Sequence, residues 1–309
     1  MFFHGGCAQA EFQETDAGRG AVNFTLEKGI PETQAGFAEL HVVNFRLMTT
    51  QTKNRFKSVL QTAAFWGAFL YFAAVGSLAS VACAIPSVLF RGVRARFFGQ
   101  KLIHALFGSF VGYLRVFGLM ELDAGGLSEL HDCAGLIVVA NHPGLLDAVL
   151  VVSQLPQVVC LMKGSLTRNI VLSGTARLAG YIHNESSLGL VKKCEERLKE
   201  GANLLVFPEG TRTVAGKLLP FKMGFALTAV LTGSPVQTII ITSESNCLGK
   251  GWPFFKKPAF PFRYSLRLGR RFQPEPGQEA KKFGCAVENY FRERLSQSGG
   301  GNLSATPKK

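Results

Sequence analysis

Alternation of short apolar segments with helical segments after Gly118 constrains the fold of this chain more than any other feature of its sequence. Runs such as 136–140 and 204–207 have the length and composition of buried strands, and segments with helical periodicity separate them. Strands that alternate with helices predict an α/β fold in which a largely parallel sheet is flanked by helices. Residues 263–268 alternate polar and apolar side chains, which is typical of an edge strand.

The segment that precedes this domain is unusually apolar. No charged residue occurs in residues 58–90, and the almost wholly apolar stretch 63–85 is long enough to span the core of a bilayer. Pro86 ends or kinks this helix, and residues 97–117 predict a second aromatic-rich helix. Residues 48–118 are therefore predicted to be a membrane-associated helical segment. Because basic residues flank the first helix on both sides, a spanning and a re-entrant arrangement both stay open.

The other boundaries follow from polarity and periodicity. Residues 1–47 are polar, lack the apolar run of a signal peptide and precede Met48, so we predict a disordered or over-called N-terminal extension. Residues 119–296 form the predicted α/β domain, which a helix closes at its end. Residues 297–309 are predicted to be a disordered tail.

Charge restricts the partners that the chain can bind. The net charge is +13, and residues 1–47 carry −3 of it, so the remainder carries +16. A basic body favours an anionic partner such as a membrane surface or an acidic carrier protein. The sequence has neither zinc-finger spacing nor an aromatic RNA-binding signature, and we predict no nucleic-acid partner. Its seven scattered cysteines form no C-x-x-C pair, so no metal site is predicted.

The string N-H-P-G-L-L-D places His142 five residues before Asp147, directly after a predicted strand. An imidazole can accept a proton from an attacking hydroxyl, and a carboxylate on its other ring nitrogen fixes the tautomer and stabilises the imidazolium. A turn at Pro143 and Gly144 allows Asp147 to fold back towards His142. No G-x-S-x-G string supplies an enzyme nucleophile, so the pattern indicates direct attack by a substrate hydroxyl.

The string F-P-E-G-T-R follows a second predicted strand. Gly210 permits a sharp turn that exposes backbone N–H groups, and Arg212 can hold a phosphate in a bidentate fork. Thr211 adds a hydroxyl donor, and Lys222 adds a second cation. Glu209 could bind a substrate hydroxyl or orient Arg212.

Together the two strings strongly resemble the glycerophospholipid acyltransferases, in particular the bacterial 1-acylglycerol-3-phosphate acyltransferase type, over about residues 119–268. The resemblance implies transfer of a fatty acyl group from a CoA or acyl-carrier-protein thioester to a hydroxyl of a lysophospholipid-like acceptor. It implies that His142 is the general base and Asp147 its partner. The acceptor- or phosphate-binding residues would be Glu209, Gly210, Thr211, Arg212, Lys163 and Lys222.

The match to this family departs at one acceptor block, which corresponds to residues 180–184. Gly180 is present, but Asn184 stands where an arginine is expected, so the identity of the acceptor stays open. Residues 248–253 are similar to acyltransferases encoded with fatty-acid-synthase-like pathways such as aryl polyene assembly.

The resemblance also implies where the protein acts and with what. Its partners would be membrane lipids and an acyl carrier protein or CoA, with no cofactor or metal. It would lie at the inner (cytoplasmic) membrane with its active site on the cytoplasmic face. Two alternatives stay open, a thioesterase that uses the same site and a non-catalytic module that binds membrane lipid or a carrier.

Overall fold

The computed structural model of the protein describes residues 32–162, 171–183, 187–213, 218–244, 248–249, 251–253 and 256–299. The chain divides into two compact units, Met1–Ser58 and Val59–Lys309. In the first unit the described residues belong to the N-terminal part of helix α1 (Glu32–Ala84). Helix α1 therefore begins before the boundary predicted at Met48, and residues 1–31 lie outside the described residues.

The second unit contains a seven-stranded sheet and the remaining helices. The strands are β1 (Met120–Asp123), β2 (Ile137–Ala140), β3 (Val158–Met162), β4 (Ile182–His183), β5 (Asn203–Val206), β6 (Val236–Ser243) and β7 (Phe262–Phe272). The helices after α1 are α2 (Pro86–Leu89), α3 (Val93–Val116), α4 (Asp147–Val152), α5 (Ser173–Leu178), α6 (Ser187–Lys199), α7 (Gly224–Thr232) and α8 (Ala280–Gly299). Helix α8 extends three residues into the tail predicted at 297–309, and residues 300–309 lie outside the described residues.

The strand order is β1-β7-β6-β2-β5-β3-β4, and only the β6–β7 pair is antiparallel. This confirms the predicted α/β fold with a largely parallel sheet. The prediction that residues 263–268 form an edge strand is wrong for residues 263–265, because β1 pairs with this part of β7 on its outer side. The alternation arises because the exposed Arg263 and Arg267 alternate along β7 with the buried Phe262, Tyr264 and Leu266.

Helices cover both faces of the central strands. In β2, Val138 and Ala140 pack into a core shared with α1, α3 and α4, whereas Ile137 and Val139 pack into a second core shared with α7 and α8. All four residues are buried, which is why this strand reads as a continuous apolar run. Complete burial of an Ile or Val side chain in this strand contributes roughly 1.5–3 kcal/mol.

The C-terminal part of helix α1 packs along the α/β domain. Phe65 and Ala68 are buried against it, and Ser80 Oγ accepts a hydrogen bond of 2.6 Å from the Gly174 N–H at the start of α5. On the other side of the helix, Leu70 and Leu78 are each 74% exposed. The Arg55–Ala84 part of α1 is long and apolar enough to cross a membrane. It is thus a helix with one face in the protein and a second, apolar face outside it.

Candidate active site

The two strings predicted to carry the chemistry meet at one edge of the sheet. His142 follows the end of β2, and the segment 207–213 follows the end of β5, which pairs with β2 in parallel. Parallel strands that are neighbours in a sheet end side by side, and this carboxyl edge is where open α/β sheets place their sites. Residues that are 67 positions apart in sequence are therefore in hydrogen-bond contact.

His142 and Asp147 form the predicted pair. The distance between His142 Nδ1 and Asp147 Oδ2 is 2.7 Å, and the same oxygen accepts a hydrogen bond of 2.7 Å from the Gly144 N–H. Asp147 begins helix α4 and its side chain is fully buried, whereas the His142 side chain is 21% exposed. A hydrogen on Nδ1 that is donated to this carboxylate leaves the lone pair of Nε2 available to accept a proton.

Burial dominates the electrostatics of the Asp147 carboxyl. It raises the pKa of Asp147 above its ordinary value, and the nearby charge of Glu209 raises it further. Hydrogen bonds from His142 and Gly144 lower the pKa in turn but do not cancel the effect of burial. Burial therefore opposes ionisation of this carboxyl, whereas the hydrogen bonds from His142 and Gly144 favour it, an arrangement that is common at functional sites.

Glu209 is turned into the protein. It is 4% exposed, and its Oε1 accepts a hydrogen bond of 2.9 Å from the backbone N–H of His142. The Thr213 hydroxyl shares its one proton between the two carboxylate oxygens, at 3.1 and 3.0 Å, and the Leu219 N–H donates to Oε2 at 3.1 Å. The carboxylate of Glu209 therefore connects the two strings to each other.

The glycine turn holds a lysine above it. Gly210 has a φ of +67°, in the left-handed region that favours glycine. A Cβ at this position would lie 2.8 Å from Lys222 Nζ, so the lysine side chain lies directly against the turn. The Lys222 N–H donates to the Pro208 carbonyl at 2.8 Å, and Thr211 lies half-buried in the same turn. Lys222, the second cation predicted for this site, therefore lies beside the glycine turn of the F-P-E-G-T-R string.

Arg212 contacts a neighbouring loop. Its Nη1 donates to the carbonyl oxygens of Leu248 at 3.0 Å and Gly249 at 3.3 Å. The Leu248 carbonyl also accepts a hydrogen bond of 3.1 Å from the Leu145 N–H, next to the His142–Asp147 turn. Leu248 itself adopts a positive φ of 59°. Arg212 thus ties this loop to the site while its guanidinium remains partly exposed.

Of the remaining predicted site residues, the structure describes Gly180, and it is not at this edge. Gly180 lies between α5 and β4, before the strand, where a Cβ would lie 2.6 Å from Arg96 Cδ and 3.3 Å from Arg197 Nη1. That position is at the amino edge of the sheet, away from His142. Lys163 and Asn184 lie outside the described residues.

Three residues of this site had no role assigned from the sequence. Phe207 stacks on the imidazole of His142, with ring centroids 4.4 Å apart and planes at 27°. The Thr213 N–H donates to the His142 carbonyl at 2.8 Å. The Asn141 side chain bonds both the N–H and the C=O of Ile241 at 2.8 Å, which links the end of β2 to β6. Asn141 and Phe207 are the first residues of the two strings, and their place in these strings is the sequence signal that points to them.

Among the described residues, no group of three or more His, Cys, Asp or Glu side chains is placed so that it could hold a metal ion.

Comparison with known proteins relates this site to enzymes of lipid metabolism. Residues 122–242 match the family model described as Acyltransferase. A 1-acyl-sn-glycerol-3-phosphate acyltransferase of Helicobacter pylori is 31% identical over 144 residues, which cover 44% of this chain and 58% of that protein. A chloroplast enzyme of the same name from Brassica napus is 25% identical over 158 residues, which cover 49% of this chain and 46% of that protein. The chain spans about half the length of the curated relatives it matches.

A solved structure extends the similarity to the fold. The crystal structure of the 1-acyl-sn-glycerophosphate acyltransferase PlsC from Thermotoga maritima matches with a TM-score of 0.60. The match covers 82% of this chain and 98% of that chain, at 24% sequence identity. The two proteins therefore share the sheet flanked by helices.

Proposed function

We propose that the chain is a member of the glycerophospholipid acyltransferase family, as the match of residues 122–242 supports, and that it transfers a fatty acyl group from a thioester to a hydroxyl of a lysophospholipid-like acceptor. The observation that carries this proposal is the 2.7 Å contact between His142 Nδ1 and the buried Asp147 carboxylate. That geometry suits a general base that acts on a hydroxyl which the enzyme does not itself supply.

The proposed reaction is direct acyl transfer. Nε2 of His142 takes the proton of the acceptor hydroxyl as its oxygen attacks the carbonyl carbon of the thioester. The tetrahedral intermediate collapses, the carbon–sulfur bond breaks, and the departing thiolate takes the proton back from the imidazolium. Asp147 stabilises the imidazolium between these two steps.

The donor is proposed to be an acyl-CoA or an acyl carrier protein. Both are anionic thioesters, and the basic charge of the chain outside residues 1–47 supports association with either of them. The acceptor is proposed to bind beside Arg212 and Lys222, two cations that flank the same glycine turn.

Arg212→Ala is expected to raise the KM for a phosphate-bearing acceptor by about 10-fold or more, because a charge-assisted hydrogen bond contributes about 1.5–3 kcal/mol. Steady-state kinetics over a series of acceptor concentrations measure this. Arg292→Ala, which removes an arginine paired with Glu288 on helix α8, is the matched control and should leave the KM unchanged. An unchanged KM in Arg212→Ala would mean that Arg212 serves only to hold the loop at Leu248.

The protein is proposed to lie at the inner membrane with the site facing the cytoplasm. Helix α1 packs on the domain from Phe65 to Ser80 and exposes large apolar side chains elsewhere, which supports a helix that lies within one leaflet. Arg91 and Arg94, both exposed after α2, would meet anionic headgroups there.

Cysteine labelling tests this arrangement of the helix. In a variant that lacks the native cysteines, Leu60→Cys and Arg91→Cys should both react with a membrane-impermeant maleimide from the cytoplasmic side. Reaction of the two sites from opposite sides would mean that the helix spans the bilayer.

Product analysis tests the proposed reaction. Purified protein is incubated with labelled acyl-CoA or acyl carrier protein and a bacterial lipid extract, and the labelled products are separated. A new acylated lipid is the expected result, and its head group identifies the acceptor. Free fatty acid as the sole product would indicate a thioesterase instead, and binding of donor or lipid without turnover would indicate a non-catalytic module.

A further inference from the structure

We infer that Glu209 is a positioning residue that holds the backbone of His142, and not a ligand of the acceptor; this inference rests on the function proposed for the site. The carboxylate is 4% exposed, whereas the neighbouring Arg212 is partly exposed and Lys222 is exposed. Of the charged groups at this turn, Glu209 is thus the one that faces the interior. Because the Glu209 side chain points into the protein while Arg212 and Lys222 are more exposed, Glu209 does not share the role of the two cations.

The hydrogen bonds of Glu209 leave it poorly suited to bind a substrate. Its two oxygens accept from the His142 N–H, the Thr213 hydroxyl and the Leu219 N–H, at 2.9–3.1 Å. A carboxylate offers about four acceptor positions, and these three donors occupy three of them. Because the residue is only 4% exposed, an acceptor hydroxyl could reach the carboxylate only by displacing one of these donors, and a buried N–H that loses its partner costs about 1–3 kcal/mol.

The segment that contains Glu209 holds His142 by its backbone and by its ring. Glu209 accepts from the N–H of His142, Thr213 donates to its C=O at 2.8 Å, and Phe207 stacks on its imidazole. All three come from the segment 207–213 that follows β5. Since the Nδ1 contact with Asp147 needs the ring in one orientation, the backbone of His142 must be fixed for the pair to form.

Loss of the Glu209 carboxylate should therefore lower the rate of the chemical step and leave acceptor binding intact. A displacement of about 1 Å in a catalytic group can cost on the order of 100-fold in rate. Glu209→Ala is expected to reduce kcat by about that factor with the acceptor KM unchanged. Glu209→Gln should lose less, because its amide oxygen can still accept the His142 N–H.

Glu288 provides a matched control for this experiment. Its Oε2 accepts the Phe221 N–H at 3.1 Å, so it is a second glutamate, only 14% exposed, that holds a backbone N–H close to the same turn. It has no contact with His142 among the described residues. Glu288→Gln should keep the kcat of the parent, even if its melting temperature falls as much as that of Glu209→Gln.

A spectroscopic measurement tests the inference without turnover. In protein labelled with ¹⁵N-histidine, the ring signals of His142 are identified by their loss in His142→Ala. We expect Glu209→Gln to shift these signals, because the contact of Nδ1 with Asp147 changes, and Glu288→Gln to leave them in place.

Two results would overturn the inference: an increased acceptor KM with unchanged kcat in Glu209→Gln, or His142 ring signals that match those of the parent. Absence of acyl transfer by the parent protein, with both thioesters and all acceptors, would instead refute the proposed function. In that case the ring signals alone decide whether Glu209 positions His142.

Discussion

His142→Ala should reduce acyl transfer by at least about 100-fold, the usual lower range for removal of a general base. Without the imidazole, the acceptor hydroxyl must attack the thioester with its proton still attached, and the departing thiolate has no proton donor. The remaining site, with Arg212 and Lys222 in place, should still bind the acceptor. Initial rates of labelled lipid formation at saturating donor and acceptor measure the effect.

The control for this variant is His131→Ala. His131 is an exposed histidine whose Nε2 lies 2.7 Å from the Gln154 carbonyl, on the surface after β1. It should keep the rate of the parent. Near-normal transfer by His142→Ala would refute the assignment of His142 as the base, provided that the variant has the melting temperature of a folded protein.

The central strands could be predicted from the sequence because both of their faces are buried. Apolar runs at 136–140 and 204–207 become β2 and β5, with boundaries that differ by one residue. Strand β1 was missed, since it has four residues and its partner β7 lies far along the chain. Pairing between distant segments has no local signal, and the edge of the sheet was therefore assigned to the wrong strand.

The site could be predicted where its chemistry is local in sequence. The five-residue spacing of His142 and Asp147 spans one turn, and the contact between them is confirmed. The direction of the Glu209 side chain depends on the parallel pairing of β2 with β5, so the sequence could not distinguish an inward carboxylate from one that meets the acceptor. Gly180 was selected through family resemblance, and the structure places it on the other side of β4 from the strand ends that form the site.

Asp147→Asn is expected to reduce turnover by about 100- to 10,000-fold without loss of folding stability. The amide has nearly the shape of the carboxylate, and its oxygen can accept the hydrogen bonds from His142 and Gly144 at the position of Oδ2. It lacks the negative charge that stabilises the imidazolium once His142 has taken the proton. The loss should therefore fall on kcat, and the acceptor KM should not change.

The stability of this variant should depend on pH in a direction set by the raised pKa of Asp147. Below about pH 4, the carboxyl is protonated in both the folded and the unfolded state, and the parent carries no penalty from its charge. As the pH rises through the raised pKa of the folded state, the buried carboxyl ionises at a cost that the unfolded chain does not bear. The parent therefore loses stability relative to Asp147→Asn, and the variant should melt at the same or a higher temperature near neutral pH.

Melting curves of both proteins near pH 4 and near neutral pH, combined with kcat, separate a catalytic role of Asp147 from a structural one. The control is Asp123→Asn, which removes an exposed carboxylate paired with Arg267 at the far edge of the sheet. This variant should keep the kcat of the parent, and its melting temperature should depend on pH as that of the parent does. A marked loss of melting temperature in Asp147→Asn at neutral pH would assign its inactivity to unfolding. A loss of kcat at equal or higher stability assigns the role of Asp147 to the imidazole of His142, through its tautomer and through the charge that stabilises the imidazolium, and not to folding.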